Sequence, residues 1–256
     1  MVSLRVAQEL VSRWDRMQAG YIAARERRFS AMFDVLEACL PKKFTALDLG
    51  CGPGSLSVRL LQRFPQAQCV AVDYDPVLLS LGQRRYGTRG KRLHWVEADL
   101  RTSDWARGLG RAGRFDAVLS TTALHWLYPK VLRRVYQEAY RVLAPGGVLL
   151  NGDTASLEKA VPHLNAISGK ALDLEQKAAQ RRLRSDSWDA WWKAAGRVSD
   201  FQPLFEERRR RYGSESHHGH EPPADTHLRY LRAAGFSETA VLWREFNNAL
   251  LVAYKE

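Results

Sequence analysis

Cysteine, acidic residues and long apolar runs are all scarce in this chain of 256 residues. Its three cysteines, Cys39, Cys51 and Cys69, are odd in number and too far apart for a disulfide framework or a CxxC metal site. Reduced, buried thiols are therefore expected. No run of 18 uncharged apolar residues occurs, so no membrane-spanning helix is expected. Glu9, Arg13 and Asp15 fall where a signal peptide would need an apolar core, and the expected location is cytoplasmic. Asp and Glu number 28 against 39 Lys and Arg, giving a formal net charge of +11. The basic residues are scattered except for Arg208 to Arg211, which directly follow Glu206 and Glu207. That pattern reads as a solvated, arginine-rich surface, with a nucleic-acid surface as the less favoured alternative. The length suits one large α/β domain, or a domain with a subdomain.

What is present is an alternation. Residues 5 to 40 carry helical spacing of apolar residues up to Pro41. Short apolar runs then alternate with amphipathic stretches: FTALDLG (44–50), SLSVRLLQRF (55–64), CVAVD (69–73), PVLLSLGQRRY (76–86), LHWVEAD (93–99), FDAVLSTTA (115–123), PKVLRRVYQEAYRVL (129–143) and VLLNGD. Strands alternating with helices predict a parallel sheet covered on both faces. From Thr154 to about Tyr212 only helical patterns appear, and the α/β pattern then resumes with a helix closed by Gly235 and two final strands. The expected division is an N-terminal helical lid (1–40), a cofactor-binding α/β core (41–153), a helical cap with a histidine-rich loop (154–223) and a return to the core (224–256).

The stretch LDLGCGPGS places Gly50, Gly52 and Gly54 between the first strand and the first core helix. At that point backbone N–H groups and a helix N-terminus face the carboxyl edge of the sheet. A dinucleotide fingerprint would need a glycine at position 55, which is Ser55. The G-x-G-x-G spacing suits a cofactor lying against main chain where a Cβ would collide. Asp73, ending the second strand, is placed to accept hydrogen bonds from ribose hydroxyls, while Asp75 suits a helix cap. Asp99 could accept from an adenine amine with Leu100 packed on the ring.

The words LDLGCGPGS, VAVDYDP, VEADL, FDAVLSTTALHWL and RVLAPGGVLLNGD resemble the class I S-adenosylmethionine-dependent methyltransferases over roughly residues 20–153 and 224–254. The resemblance implies a doubly wound, seven-stranded, mostly parallel Rossmann-like sheet whose seventh strand is antiparallel, here with a helical cap insertion. It implies S-adenosylmethionine as cofactor, with Gly50, Gly52 and Gly54 at the methionine moiety, Asp73 at the ribose, Asp99 and Leu100 at the adenine, and Ser120 and Thr121 beneath the sulfonium. In this family the N-terminal helix often closes over the cofactor. Tyr21 and Arg28, seven apart on one helix face, are then expected over the site, with Arg28 on the methionine carboxylate.

Methyl transfer needs alignment in a dry site, and a general base only where the acceptor must lose a proton. His125, just past the fourth strand, is the candidate by position, and Trp126 is expected to pack on the sheet. His218 and His220 of SESHHGHEPP project to one side of an extended segment and are expected to line the site with His125. Three readings of that loop stand open: a polar entrance, metal-free site-lining histidines, or a divalent metal on His125, His218 and His220. Similar loops in relatives that C-methylate 2-oxo acids suggest the last, with the metal favouring an enolate; no metal is assigned. A cap over the carboxyl edge suits a small-molecule acceptor. The alternatives are an RNA or tRNA methyltransferase and a non-catalytic cofactor-binding module.

Overall fold

The computed structural model describes residues 2–109, 115–157, 160–213 and 222–256. Seven strands form one sheet: β1 (Thr45–Leu49), β2 (Gln68–Asp73), β3 (Leu93–Glu97), β4 (Phe115–Thr121), β5 (Leu143–Thr154), β6 (Glu238–Glu245) and β7 (Asn248–Tyr254). Their order is β3-β2-β1-β4-β5-β7-β6. The pairs among β1 to β5 are parallel, whereas β7 runs antiparallel to both β5 and β6. This is the expected doubly wound, mostly parallel sheet. The strand order reverses between β1 and β4, and such switch points open a crevice at the carboxyl edge.

Side chains alternate between the two faces of the sheet. Ala46, Ala117, Leu119 and Leu150 pack with Phe29, Met32 and Leu36 of α2 (Arg25–Cys39) and with Leu56 and Leu60 of α3 (Ser55–Arg63). On the other face Leu47, Leu49, Val118 and Leu149 meet Leu132, Val135 and Tyr136 of α5 (Pro129–Val142) and Leu231 of α9 (Ala224–Ala234). Asp75 caps α4 (Pro76–Tyr86) by accepting from the N–H groups of Val77 and Leu78, as its place before Pro76 implies.

The N-terminal segment departs from a single helical run. It is two helices, α1 (Leu4–Tyr21) and α2, broken at Ile22–Ala24. Ala24 adopts the left-handed conformation at φ 55°, and Arg25 N–H bonds back to Ile22 O. Tyr21 and Arg28 consequently do not share a helix face. Tyr21 docks on the inserted segment instead, its hydroxyl accepting from Trp188 N–H at 3.2 Å.

That segment consists of α6 (Pro162–Leu183), α7 (Trp188–Gly196), a 3-10 turn (Ser199–Phe201) and α8 (Gln202–Tyr212). Trp188, Trp191 and Trp192 of α7 gather around Trp14 of α1 at ring separations of 5.6, 4.8 and 6.3 Å. Trp191 is fully buried, and its indole N–H donates to Leu10 O. Of the thiols, Cys51 and Cys69 are buried, but Cys39 at the end of α2 is exposed, contrary to expectation. Among the described residues no helix is long and apolar enough to cross a membrane.

Candidate active site

The glycine turn follows β1 directly. Gly50, Gly52 and Gly54 all have positive φ, at 70°, 55° and 89°, a region costly for residues with a Cβ. Their surroundings differ. A Cβ on Gly50 would strike Ala123 Cβ at 2.4 Å and one on Gly54 would strike the Trp95 ring at 2.5 Å. On Gly52 it would meet nothing closer than 3.9 Å, where Leu78 and Trp14 stand. Two glycines thus let the turn seat against its neighbours, and at the third a Cβ would only reach contact distance of Leu78 and Trp14, so its positive φ is the stronger demand for glycine.

Asp73 fastens this turn to β2. One carboxylate oxygen accepts Gly52 N–H at 2.6 Å, and the other accepts the N–H groups of Tyr74 and Asp75 at 2.7 and 2.8 Å. Burial nevertheless raises its pKa to about 6. Asp99 is held in a fork by the Arg101 guanidinium at 2.9 to 3.1 Å, and Leu100 packs against the α5 face of the core. Asp48 in β1 accepts from Ser57 Oγ while its other oxygen is buried without a partner, and desolvation lifts its pKa to about 7.

A charged cluster covers the turn from the N-terminal helices. Asp15 accepts from Ser55 Oγ at 2.6 Å, from Arg25 at 3.0 Å and from Arg59 at 3.2 Å. Arg25 is buried, and its Nη1 has no hydrogen-bond partner. Desolvation pushes this guanidinium's pKa down, against the pull of Asp15. Arg28 lies elsewhere. Its guanidinium donates to Asn248 Oδ1 (2.6 Å), Gly152 O (2.9 Å) and Thr121 Oγ1 (3.3 Å), tying α2 to the ends of β4, β5 and β7. Burial lowers its pKa to about 10, with Asp153 opposing the shift. Ser120 is buried and donates to Leu49 O.

Past β4, the 3-10 turn Leu124–Trp126 sets His125 against Asp153, Nδ1 to Oδ1 at 2.7 Å, and His125 N–H donates to Oδ2 at 3.2 Å. Asp153 is fully buried, and its pKa stays low because His125 and Arg28 outweigh desolvation. Trp126 is 46% exposed rather than packed on the sheet, its ring 4.9 Å from that of His125.

Asn151 and Asp153, two apart on β5, face the same way, and a second polar chain begins at Asn151. Its amide donates to Tyr136 Oη at 3.2 Å, and that hydroxyl meets His227 Nδ1 at 2.7 Å. The Tyr136 hydroxyl can both accept from Asn151 and share a proton with Nδ1, and the far nitrogen of the His227 ring is Nε2. That nitrogen is buried without a partner. Burial lowers the His227 pKa to about 4.

Arg25, Asp153, Tyr136 and His227 all escape a motif reading, although Asp153 ends VLLNGD and His227 is the fourth of the clustered histidines. His218 and His220 lie outside the described residues, and with them the question of a shared metal. Among the described residues no group of three or more His, Cys, Asp or Glu side chains is placed to hold a metal ion.

Residues 46–147 match a family model described as "Methyltransferase domain". Among similar proteins are the trans-aconitate 2-methyltransferase of Azoarcus sp. (strain BH72), 33% identical over 53% of this chain and 49% of that one, and the malonyl-[acyl-carrier protein] O-methyltransferase of Legionella pneumophila, 32% identical over 47% and 40%. The chain thus spans about half the length, or less, of these curated relatives. Of solved structures, PigF with SAH aligns with a TM-score of 0.52 at 19% identity, over 83% of this chain and 50% of that one. The S-adenosylmethionine-dependent methyltransferase SibL aligns at 0.55 and 18%, over 88% and 55%. These last two likenesses bear on the fold alone. With the glycine turn, the strand-end carboxylates and the reversed seventh strand already in place, the match identifies residues 46–147 as a methyltransferase domain.

Proposed function

We propose that this chain methylates an oxygen of a small-molecule acceptor, using S-adenosylmethionine. The observation that carries the reading is the His125–Asp153 pair, next to the Ala123 that touches Gly50. When bound, the cofactor supplies an electrophilic methyl group on a sulfonium. The residues present fit such a group. Gly52 offers main chain that no side chain crowds more closely than 3.9 Å, and Asp73 a carboxylate that still has acceptor capacity beyond its three N–H groups. Arg25, whose Nη1 makes no hydrogen bond and lies 3.7 Å from Glu26, shares Asp15 with Ser55, a guanidinium and a carboxylate that match the carboxylate and ammonium of an amino-acid end. We therefore favour Arg25 over Arg28 for that carboxylate and read Arg28, held by Asn248, Gly152 and Thr121, as a brace between α2 and the sheet. Gly50, Gly54, Asp99, Leu100, Ser120 and Thr121 keep their proposed places around the cofactor.

His125 is the proposed base. Asp153 holds the hydrogen on Nδ1, so the proton-accepting lone pair is on Nε2. As the imidazole takes the acceptor's proton, the buried Asp153 carboxylate stabilises the resulting charge. Trp14 above Gly52 excludes water. A small acceptor suits the inserted helices and accords with the trans-aconitate named for one of the relatives above. The arginine run gives RNA little to hold, since Arg208, Arg210 and Arg211 are engaged within the chain.

Calorimetry with S-adenosylhomocysteine and with NAD tests the cofactor; NAD binding alone would overturn it. A metabolite screen with methyl-labelled cofactor tests the acceptor. His125→Ala should retain S-adenosylhomocysteine binding and lose transfer by about 100-fold or more. Unchanged turnover in that variant would remove the base.

A further inference from the structure

The turn Asp73–Pro76, which the cofactor reading above puts at the ribose, is held from two sides. From within, Asp73 gathers three N–H groups and Asp75 caps α4. From outside, the last turn of α8 reaches the same backbone. Arg208 Nε donates to Asp75 Oδ2 at 2.6 Å, and Arg211 Nη1 donates to Tyr74 O at 2.7 Å. Arg211 Nη2 donates to Glu97 at the end of β3, also at 2.6 Å. The Tyr212 ring lies 5.8 Å from that of Tyr74 at 68°. Arg101 packs its guanidinium against both rings, at 5.1 and 5.7 Å, while gripping Asp99.

The inserted helices do not need these bonds merely to stay attached. They are anchored separately by the tryptophan cluster on α1. Half-buried ion pairs are also a poor route to stability, because desolvation offsets much of the attraction. Yet the side chain of Arg211 is only 12% exposed, and it donates to Tyr74, Glu97 and Glu207. The polar groups α8 spends on the core converge on the two loops assigned to the nucleoside.

We propose that the C-terminal turn of α8 is part of the cofactor site, with Arg208, Arg211 and Tyr212 acting as positioning residues. They set the Tyr74 turn and the Asp99–Arg101 loop at the spacing an adenosine requires. The inserted helices are thereby linked to cofactor occupancy, and the linkage is reciprocal: a nucleoside that favours this spacing also holds α8 in place. The inference rests on the cofactor reading, and the controls separate the two.

The test is calorimetry with S-adenosylhomocysteine, paired with hydrogen exchange of residues 202–212. Arg211→Ala should weaken binding about tenfold or more, Arg211→Lys by less, and Arg209→Ala, at an exposed position of the same helix, by less than twofold. In the unaltered chain the ligand should slow exchange across α8. Arg211→Ala with unchanged affinity but a lower melting temperature would overturn the proposal by showing simple anchoring. If that variant does not fold, Arg211→Lys and the exchange measurement decide, and an α8 indifferent to the ligand overturns it. Absence of binding by the unaltered chain would strike the cofactor reading itself.

Discussion

Asp153→Asn offers the sharpest perturbation of this fold, because the side chain is fully buried and serves three partners at once. It accepts from His125 Nδ1, His125 N–H and Thr154 N–H at 2.7, 3.2 and 2.8 Å, and it opposes the buried charge of Arg28. An amide retains the Oδ1 contacts but turns an NH₂ toward the N–H of His125. Arg28 is then left with the neutral acceptors Asn248, Gly152 and Thr121. Stripping the partner from a buried charge costs about 3–5 kcal/mol. Arg28 is not in direct contact, so about 3 kcal/mol is expected, or a fall of roughly 6–12 °C in melting temperature for a chain of this size. Thermal unfolding at neutral pH measures it. The carboxylate's folded pKa lies below its unfolded value, so its contribution is full above about pH 4 and lost as pH falls through the folded value. The gap between wild type and variant should therefore be flat at neutral pH and close in acid. Combining Asp153→Asn with Arg28→Met removes both charges and should cost less than the sum of the two. A melting point within about 2 °C of wild type, or strict additivity, would refute the reasoning.

Three further outcomes are expected. Asp73→Asn should weaken S-adenosylhomocysteine binding about 100-fold, from impaired charge-assisted bonds, and wild-type affinity should fall as acid protonates Asp73 through about pH 6; pH-dependent calorimetry reads both. His227 has a folded pKa of about 4, below the ordinary 6.5, so the unfolded chain takes up the proton first. Stability should decline between about pH 6.5 and 4 by roughly 3 kcal/mol in total, and urea titrations of His227→Gln should lack that component. Gly54→Ala would force a Cβ to 2.5 Å from Trp95 at a φ of 89° and should cost about 2 kcal/mol or more in the same assay.

The sheet and the glycine turn are legible in the sequence because both depend on local pattern. Strand runs such as CVAVD, a glycine triplet where φ is positive and Asp75 before Pro76 need no distant partner to be read. The break at Ala24 is masked, since alanine favours helix and only Gly20, in the last turn of α1, hints at an end. The break places Arg25, with Ser55, on Asp15, and it turns Arg28 toward Asn248, Gly152 and Thr121. Asp153 and His227 are hidden for another reason. Their chemistry arises only when β5 brings Asn151 and Asp153 onto one face and α9 lays His227 against Tyr136. Likewise, Arg208 and Arg211 read as a solvated run until α8 is seen to end on Tyr74 and Asp75.

The tryptophans also make the molecule its own optical probe. Of eight in the chain, four sit in the cluster where α1 meets α7, and the Arg208 guanidinium lies 3.9 Å from the centre of the Trp192 ring. Trp14 belongs to the cluster and also stands over Gly52. Half of the emitting indoles therefore lie where α1 meets α7. A change at the glycine turn that shifts Trp14 should therefore be visible in the fluorescence of the cluster.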